Sequence, residues 1–113
     1  MIGVWRHCVL QLLDDYMSDV RHRGVEGARR RFEAEPPPSG SNRVDAALAA
    51  LAEHLSRRDG WDTPGWALRP SRYTSDWWFV TPYAGMHATA LLQSPLSFRK
   101  RGVFITAEAL DRV

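Results

Sequence analysis

The side chains that could act as nucleophiles, acid–base catalysts or metal ligands are few and widely spaced in this sequence. The single cysteine, Cys8, falls on the apolar side of a predicted helix, where a free cysteine usually behaves as a small hydrophobe. The histidines are His7, His22, His54 and His87. Their spacing suits no metal site, and His54 points about 100° away from its neighbour Glu53 around a helix. The sequence therefore predicts no catalytic residue, no metal, no cofactor and no enzymatic activity.

Two other features of the sequence could bind an ion or a phosphate: a pair of aspartates and the glycines. Asp15 and Asp19 lie one helical turn apart and could hold a cation, but a solvated face paired with nearby arginines is the simpler interpretation. No glycine-rich loop with a following Gly-Lys-Ser/Thr is present to bind phosphate. An enzyme would need a deep pocket that encloses His54 or His87 beside a carboxylate.

Length and composition predict one globular domain. The chain has 113 residues, of which 44% are hydrophobic and 25% charged, as in ordinary folded proteins. No apolar run reaches the length of a membrane span, and the N-terminus lacks the features of a signal peptide. One cysteine excludes an internal disulfide and fits a reducing compartment, so we expect a cytoplasmic protein with no membrane association.

The predicted fold is all-α, a predominantly helical single domain. Helical periodicity covers 4–22, 25–34 and 43–58, and shorter helical segments follow at 64–68, 84–93 and 95–101. Three regions result: a helical part at 1–35, a Pro-rich loop at 36–42, and a helical, Trp-rich part at 43–113. The one credible strand lies at 103–105. The apolar stripe of the helix at 4–22 could face its own core or a second copy, which leaves a homodimer as an alternative.

Two groups of residues could bind another macromolecule. An arginine cluster could neutralise phosphates, and it supports the alternative of a nucleic-acid-binding regulator. Its members are Arg21, Arg23, Arg29, Arg30 and Arg31. No nucleic-acid-binding motif accompanies the cluster, so the favoured group is the aromatic and arginine mixture of the segment 61–83. The predicted contacts there are Trp66, Arg69, Arg72, Tyr73, Trp77 and Trp78.

The part of the chain from Arg43 to Val113 resembles a set of actinobacterial antitoxin-like proteins. The residues that carry the resemblance are Asp45-Ala46-Ala47-Leu48, Leu51-Ala52-Glu53-His54-Leu55, Trp66, Trp77-Trp78-Phe79, Ser94-Pro95, Phe98, Arg101-Gly102-Val103-Phe104-Ile105 and Leu110-Asp111-Arg112-Val113. Such proteins are often paired with a nucleotidyltransferase-type toxin, and several carry a helix-turn-helix ahead of this region. The first 40 residues here show no such motif. The resemblance therefore implies a non-enzymatic protein-interaction module that neutralises a cognate toxin in a bacterial toxin–antitoxin pair.

Overall fold

Helices dominate the computed structural model, which describes residues 5–74, 76–81 and 84–111. The α-helices are α1 (Gln11–Ala28), α2 (Asn42–Asp59), α3 (His87–Gln93) and α4 (Leu96–Arg99). A π-helix at Trp5–Leu10 leads into α1, and the 3-10 helices are Arg29–Phe32, Gly65–Leu68, Pro70–Arg72, Ala84–Met86 and Ala107–Leu110. The predicted all-α class is confirmed. Val4, Arg112 and Val113, which the predictions include, lie outside the described residues.

Helix α2 forms the centre of the molecule, close to the predicted span of 43–58. Ser41 caps its N-terminus because the Ser41 hydroxyl accepts a hydrogen bond from the Val44 N–H. Gly60 ends the helix with a left-handed φ of 82°. Eleven of its residues are buried, which explains its alanine-rich composition: small side chains let neighbouring segments approach on several sides. The helix therefore organises the core around it.

The N-terminal helical segment packs its apolar stripe against the core of its own chain. Trp5, Val9, Leu13 and Tyr16 are all buried in the cluster that includes α2. These residues of the stripe therefore pack against the core of their own chain. The predicted gap between the helical spans 4–22 and 25–34 is a break at Gly24 inside α1, because the φ of 76° at Gly24 is not that of a right-handed helix. The radius of gyration, 13.4 Å, is that of one domain of this length.

Two short strands form the only sheet in the described part of the chain. Strand β1 (Trp78–Phe79) pairs in parallel with β2 (Val103–Phe104), with Trp78 opposite Val103 and Phe79 opposite Phe104. The strand predicted at 103–105 is confirmed, whereas β1 was not predicted. No described helix is both long and apolar enough to span a bilayer.

The turn at Gly102 leads into β2 and leaves no room for a side chain. Gly102 has a φ of 82°, and a Cβ atom there would overlap the Thr74 hydroxyl. We expect Gly102→Ala to lower the free energy of unfolding by about 2–4 kcal/mol, as measured by urea denaturation. Gly60→Ala is the matched control, because Gly60 has the same φ and open space around it. That control should cost only about 1 kcal/mol, and equal losses would contradict the steric argument.

Candidate functional site

Three of the six predicted contact residues are buried within the chain. Trp66, Arg72 and Trp78 expose 6%, 2% and 2% of their surface. The Trp66 indole N–H donates to the Phe32 carbonyl oxygen at 2.8 Å, and the Arg72 guanidinium lies over the Trp66 ring. These side chains fill the interior because indole rings bury large apolar areas. Their residue types alone did not distinguish packing from recognition.

Two more of the predicted contact residues, Arg69 and Tyr73, are at least partly exposed and contact other residues of the chain. Arg69 is exposed, and its guanidinium pairs with Glu35, the carboxylate that also binds Arg72. Tyr73 is half-buried, with the Arg101 guanidinium 5.0 Å from its ring centroid. Both residues therefore have partners within the chain.

Trp77 is the predicted contact that the structure leaves open to solvent, at 64% exposure. Alternation along β1 explains why it differs from Trp78: successive side chains of a strand point to opposite faces. Trp78 and Val80 are buried against the core, whereas Trp77 points outward and Phe79 is half-buried. The predicted pair Trp77-Trp78 therefore divides into one surface residue and one core residue.

Trp77 belongs to a set of four rings on the outer face of the sheet, which we call the aromatic layer: Trp77, Phe79, His87 and Phe104. Phe79 and Phe104 stack with centroids 5.0 Å apart, and Trp77 meets Phe104 edge-on at 5.0 Å. His87 stacks on Phe79 at 4.1 Å. These spacings are typical of favourable aromatic pairs. The layer holds Trp77 in a defined position while much of its surface remains in water.

Sequence reasoning missed three members of this layer. Phe79 follows Trp77 at a spacing of two, which is the signal of a shared strand face, but a two-residue strand gives too short a pattern to recognise. Phe104 was predicted as strand without a partner. The position of His87 over Phe79 depends on where α3 packs. No local pattern could have supplied that position.

Three leucines on α3 and α4 are also exposed: Leu91, Leu92 and Leu96. Leu91 lies one turn after His87 on α3, so both residues share a face of that helix. Leu92 and Leu96 are 83% and 61% exposed. Exposed apolar side chains that occur together are a feature of surfaces that bind other proteins.

A buried ion cluster fixes the segment that carries β2. The Glu53 carboxylate accepts hydrogen bonds from Lys100 at 2.8 Å, from Arg101 at 2.6 Å and from Arg57 at 3.1 Å. Burial alone would raise the pKa of Glu53, but the hydrogen bonds from Lys100 and Arg101 outweigh it and lower the pKa to about 2. The Arg101 guanidinium also donates to the carbonyl oxygens of Ala67 and Ser97. The cluster is thus a structural joint between α2, α4 and the 65–68 turn.

The arginine cluster of the nucleic-acid alternative is partly occupied by ion pairs. Arg29 pairs with Glu26 and Glu33, and Arg31 pairs with Asp19 at 2.8 Å. The remaining members, Arg21, Arg23 and Arg30, are exposed. No salt bridge joins these three to a carboxylate among residues 5–74, 76–81 and 84–111. The pairing of Arg31 with Asp19 also matches the predicted solvated acidic face.

The candidate catalytic groups occupy separate places in the fold. Three clefts of about 480 to 520 Å³ open on the described surface, and neither His54 nor His87 lines them. His54 is half-buried with its ring against Phe98, and burial lowers its pKa. Cys8 is a half-buried free thiol. Within the part of the chain that the structure describes, no three His, Cys, Asp or Glu residues come together as metal ligands.

Comparisons with known proteins give no relative from which a function could be inferred. The chain matched no protein-family model, no curated protein and no solved structure. The resemblance to antitoxin-like proteins therefore stays a prediction from the residues quoted for it. Among the described residues, the aromatic layer leaves one large apolar side chain, Trp77, mostly exposed at its edge.

Proposed function

We propose that this chain is a non-enzymatic protein-binding module whose contact surface centres on the aromatic layer. The exposure of Trp77 carries the proposal. Its large apolar ring packs on Phe104 but is 64% exposed, so a partner that covers it would bury apolar surface. Tryptophan is among the residues that most often dominate binding energy in protein interfaces. Leu92 and Leu96 add exposed apolar area on the neighbouring helices.

The packing of the aromatic layer favours binding for an entropic reason. A side chain that is already held by its neighbours loses little conformational freedom when a partner covers it. Phe79 and Phe104 hold Trp77 from one side, and His87 holds Phe79. The layer is therefore preorganised, and most of the apolar area that a partner buries would contribute to affinity.

The resemblance of residues 43–113 to antitoxin-like proteins supplies the partner class. The proposed partner is a cognate toxin of the nucleotidyltransferase type, which the module would neutralise by covering or distorting its active site. A cytoplasmic location belongs to the same proposal, and the free thiol of Cys8 is compatible with it. The test is co-expression with the product of the neighbouring gene. We expect restored growth and a stable complex by native mass spectrometry, and absence of both would reject the proposal.

The variant Trp77→Ala tests the position of the contact surface. We expect the dissociation constant of the complex to rise by about 30-fold or more, because truncation of a central interface tryptophan costs about 2 kcal/mol or more. The measurement is isothermal titration calorimetry with the purified partner.

Leu68→Ala is the matched control for Trp77→Ala. Leu68 is also apolar and 48% exposed, but it lies on the 3-10 helix Gly65–Leu68 rather than on the sheet or α3. We expect its affinity for the partner to stay within about twofold of the unaltered protein. Equal losses for the two variants would show that the contact surface does not centre on Trp77.

A further inference from the structure

The two edges of the small sheet differ in how their backbone groups are satisfied. At the outer edge of β2, the Ser94 hydroxyl accepts a hydrogen bond from the Ile105 N–H at 2.8 Å and donates to the Ala90 carbonyl oxygen at 2.6 Å, with the Ile105 carbonyl oxygen 3.1 Å away. The Gln93 side chain then accepts a hydrogen bond from the Ala107 N–H at 2.7 Å. Side chains of the α3–α4 turn therefore close this edge against a further strand.

At the outer edge of β1, the described residues provide no such hydrogen bonds. The N–H groups of Trp78 and Val80 donate to Gly102 and Phe104 across the sheet, at 2.8 and 3.1 Å. In a parallel ladder the intervening residue directs its own N–H and C=O away from the partner strand. Those groups of Phe79 therefore face outward, and no hydrogen bond to them is present in the described part of the chain.

We infer that this open edge receives an extended segment of a protein partner, which adds to β1 as a third strand. The outward N–H and C=O of Phe79 match a backbone acceptor and donor at strand spacing, which an extended peptide supplies and a helix does not. The inference rests on the proposed function, since the added strand would lie beside the aromatic layer. Apolar side chains on the added strand would pack on Trp77 and Phe79.

Charge specifies the partner segment further. Residues 77–81 of the edge are all uncharged, whereas the exposed Asp76 stands at its N-terminal end and forms no ion pair with the described residues. A complementary segment is therefore apolar on alternate residues and carries a basic residue at the end that meets Asp76. An acidic segment would place like charges together.

Amide hydrogen exchange of the free protein, followed by NMR, tests the open edge. The Phe79 amide should exchange at least about tenfold faster than those of Trp78 and Val80, which are hydrogen-bonded within the sheet. The probe for strand addition is a synthetic peptide of alternating threonine and phenylalanine with arginine at both ends. When it is bound, exchange at Phe79 should slow by about tenfold while Trp78 and Val80 change little.

A methylated peptide makes the test specific for a strand. It carries N-methyl groups on every phenylalanine and threonine, so neither of its edges can donate a backbone hydrogen bond, whichever way the strand runs. This peptide should not bind, whereas binding through side chains alone would tolerate the methyl groups. Asp76→Asn should weaken binding of the unmethylated peptide about two- to fivefold, as expected for one exposed ion pair.

Three results would overturn the inference. They are no binding of the unmethylated peptide, binding that leaves Phe79 exchange unchanged, and a dimer of the chain alone that protects Phe79, which would assign the edge to a second copy. The proposed function fails differently, by the loss of the partner complex or by an unchanged affinity in Trp77→Ala. A complex that depends on Trp77 but leaves the Phe79 amide exposed would retain the function and reject the added strand.

Discussion

Replacing Glu53 with alanine should lower the free energy of unfolding by about 3–5 kcal/mol, because it leaves a buried cation without its partner. The Arg101 side chain is fully buried, and its guanidinium lies 2.6 Å from the Glu53 carboxylate. Lys100 and Arg57 expose 32% and 62% of their side chains and can turn to water when the carboxylate is removed. Arg101 cannot, so the loss should be concentrated on this one pair.

The controls separate burial from charge pairing. Glu26→Ala removes a carboxylate from an exposed ion pair with Arg29 and should cost less than about 1 kcal/mol. The double variant Glu53→Leu with Arg101→Met should regain much of the loss, since apolar residues of similar volume often replace a buried ion pair at little cost. Urea denaturation measures all three. A loss in Glu53→Ala as small as in Glu26→Ala would contradict the assignment of a structural joint.

Much of the helical framework follows from local sequence. Helix α2 was predictable because its apolar period, its Ser41 cap and its stop at Gly60 lie within one stretch of chain. The break at Gly24 was predictable for the same reason, since only a glycine adopts that φ readily. Each of these features needs interactions over only a few residues, and the sequence displays them directly.

The candidate site depends instead on contacts between distant segments. Strand β1 exists because Trp78 and Phe79 meet β2, which lies 25 residues further along the chain. Glu53 and Arg101 are 48 residues apart, and neither shows in its local pattern that the other will be near. Which tryptophan is buried was therefore decided by the register of a sheet that local periodicity could not predict.

The second large effect on stability is expected at Trp78, whose neighbour Trp77 lies just before β1 and points to the opposite face of the sheet. Trp78→Ala should lower the free energy of unfolding by about 3–5 kcal/mol, as for other large-to-small changes in a core. Trp78 is 2% exposed, and its ring meets that of Trp5 edge-on at 6.0 Å. Trp77→Ala should change stability by less than about 1 kcal/mol, because the ring lost is mostly in water.

Trp78→Phe refines this comparison. The buried Trp78 indole N–H has no hydrogen-bond partner among the described residues, so its removal sacrifices no hydrogen bond. We expect a loss of about 1–2 kcal/mol, from the smaller volume alone, in thermal and urea denaturation. A loss as large as that of Trp78→Ala would indicate that the N–H is bonded after all.

The two alanine variants also bear on function, because one should reduce affinity for the partner and the other should reduce the stability of the fold. Trp77→Ala should keep the fold and lose affinity for the partner, whereas Trp78→Ala should weaken the fold itself. The same two measurements, urea denaturation and calorimetric titration, apply to both proteins. If Trp77→Ala instead destabilises the chain as much as Trp78→Ala, the Trp77 ring is a packing element, and the aromatic layer loses the exposed residue on which the binding proposal depends.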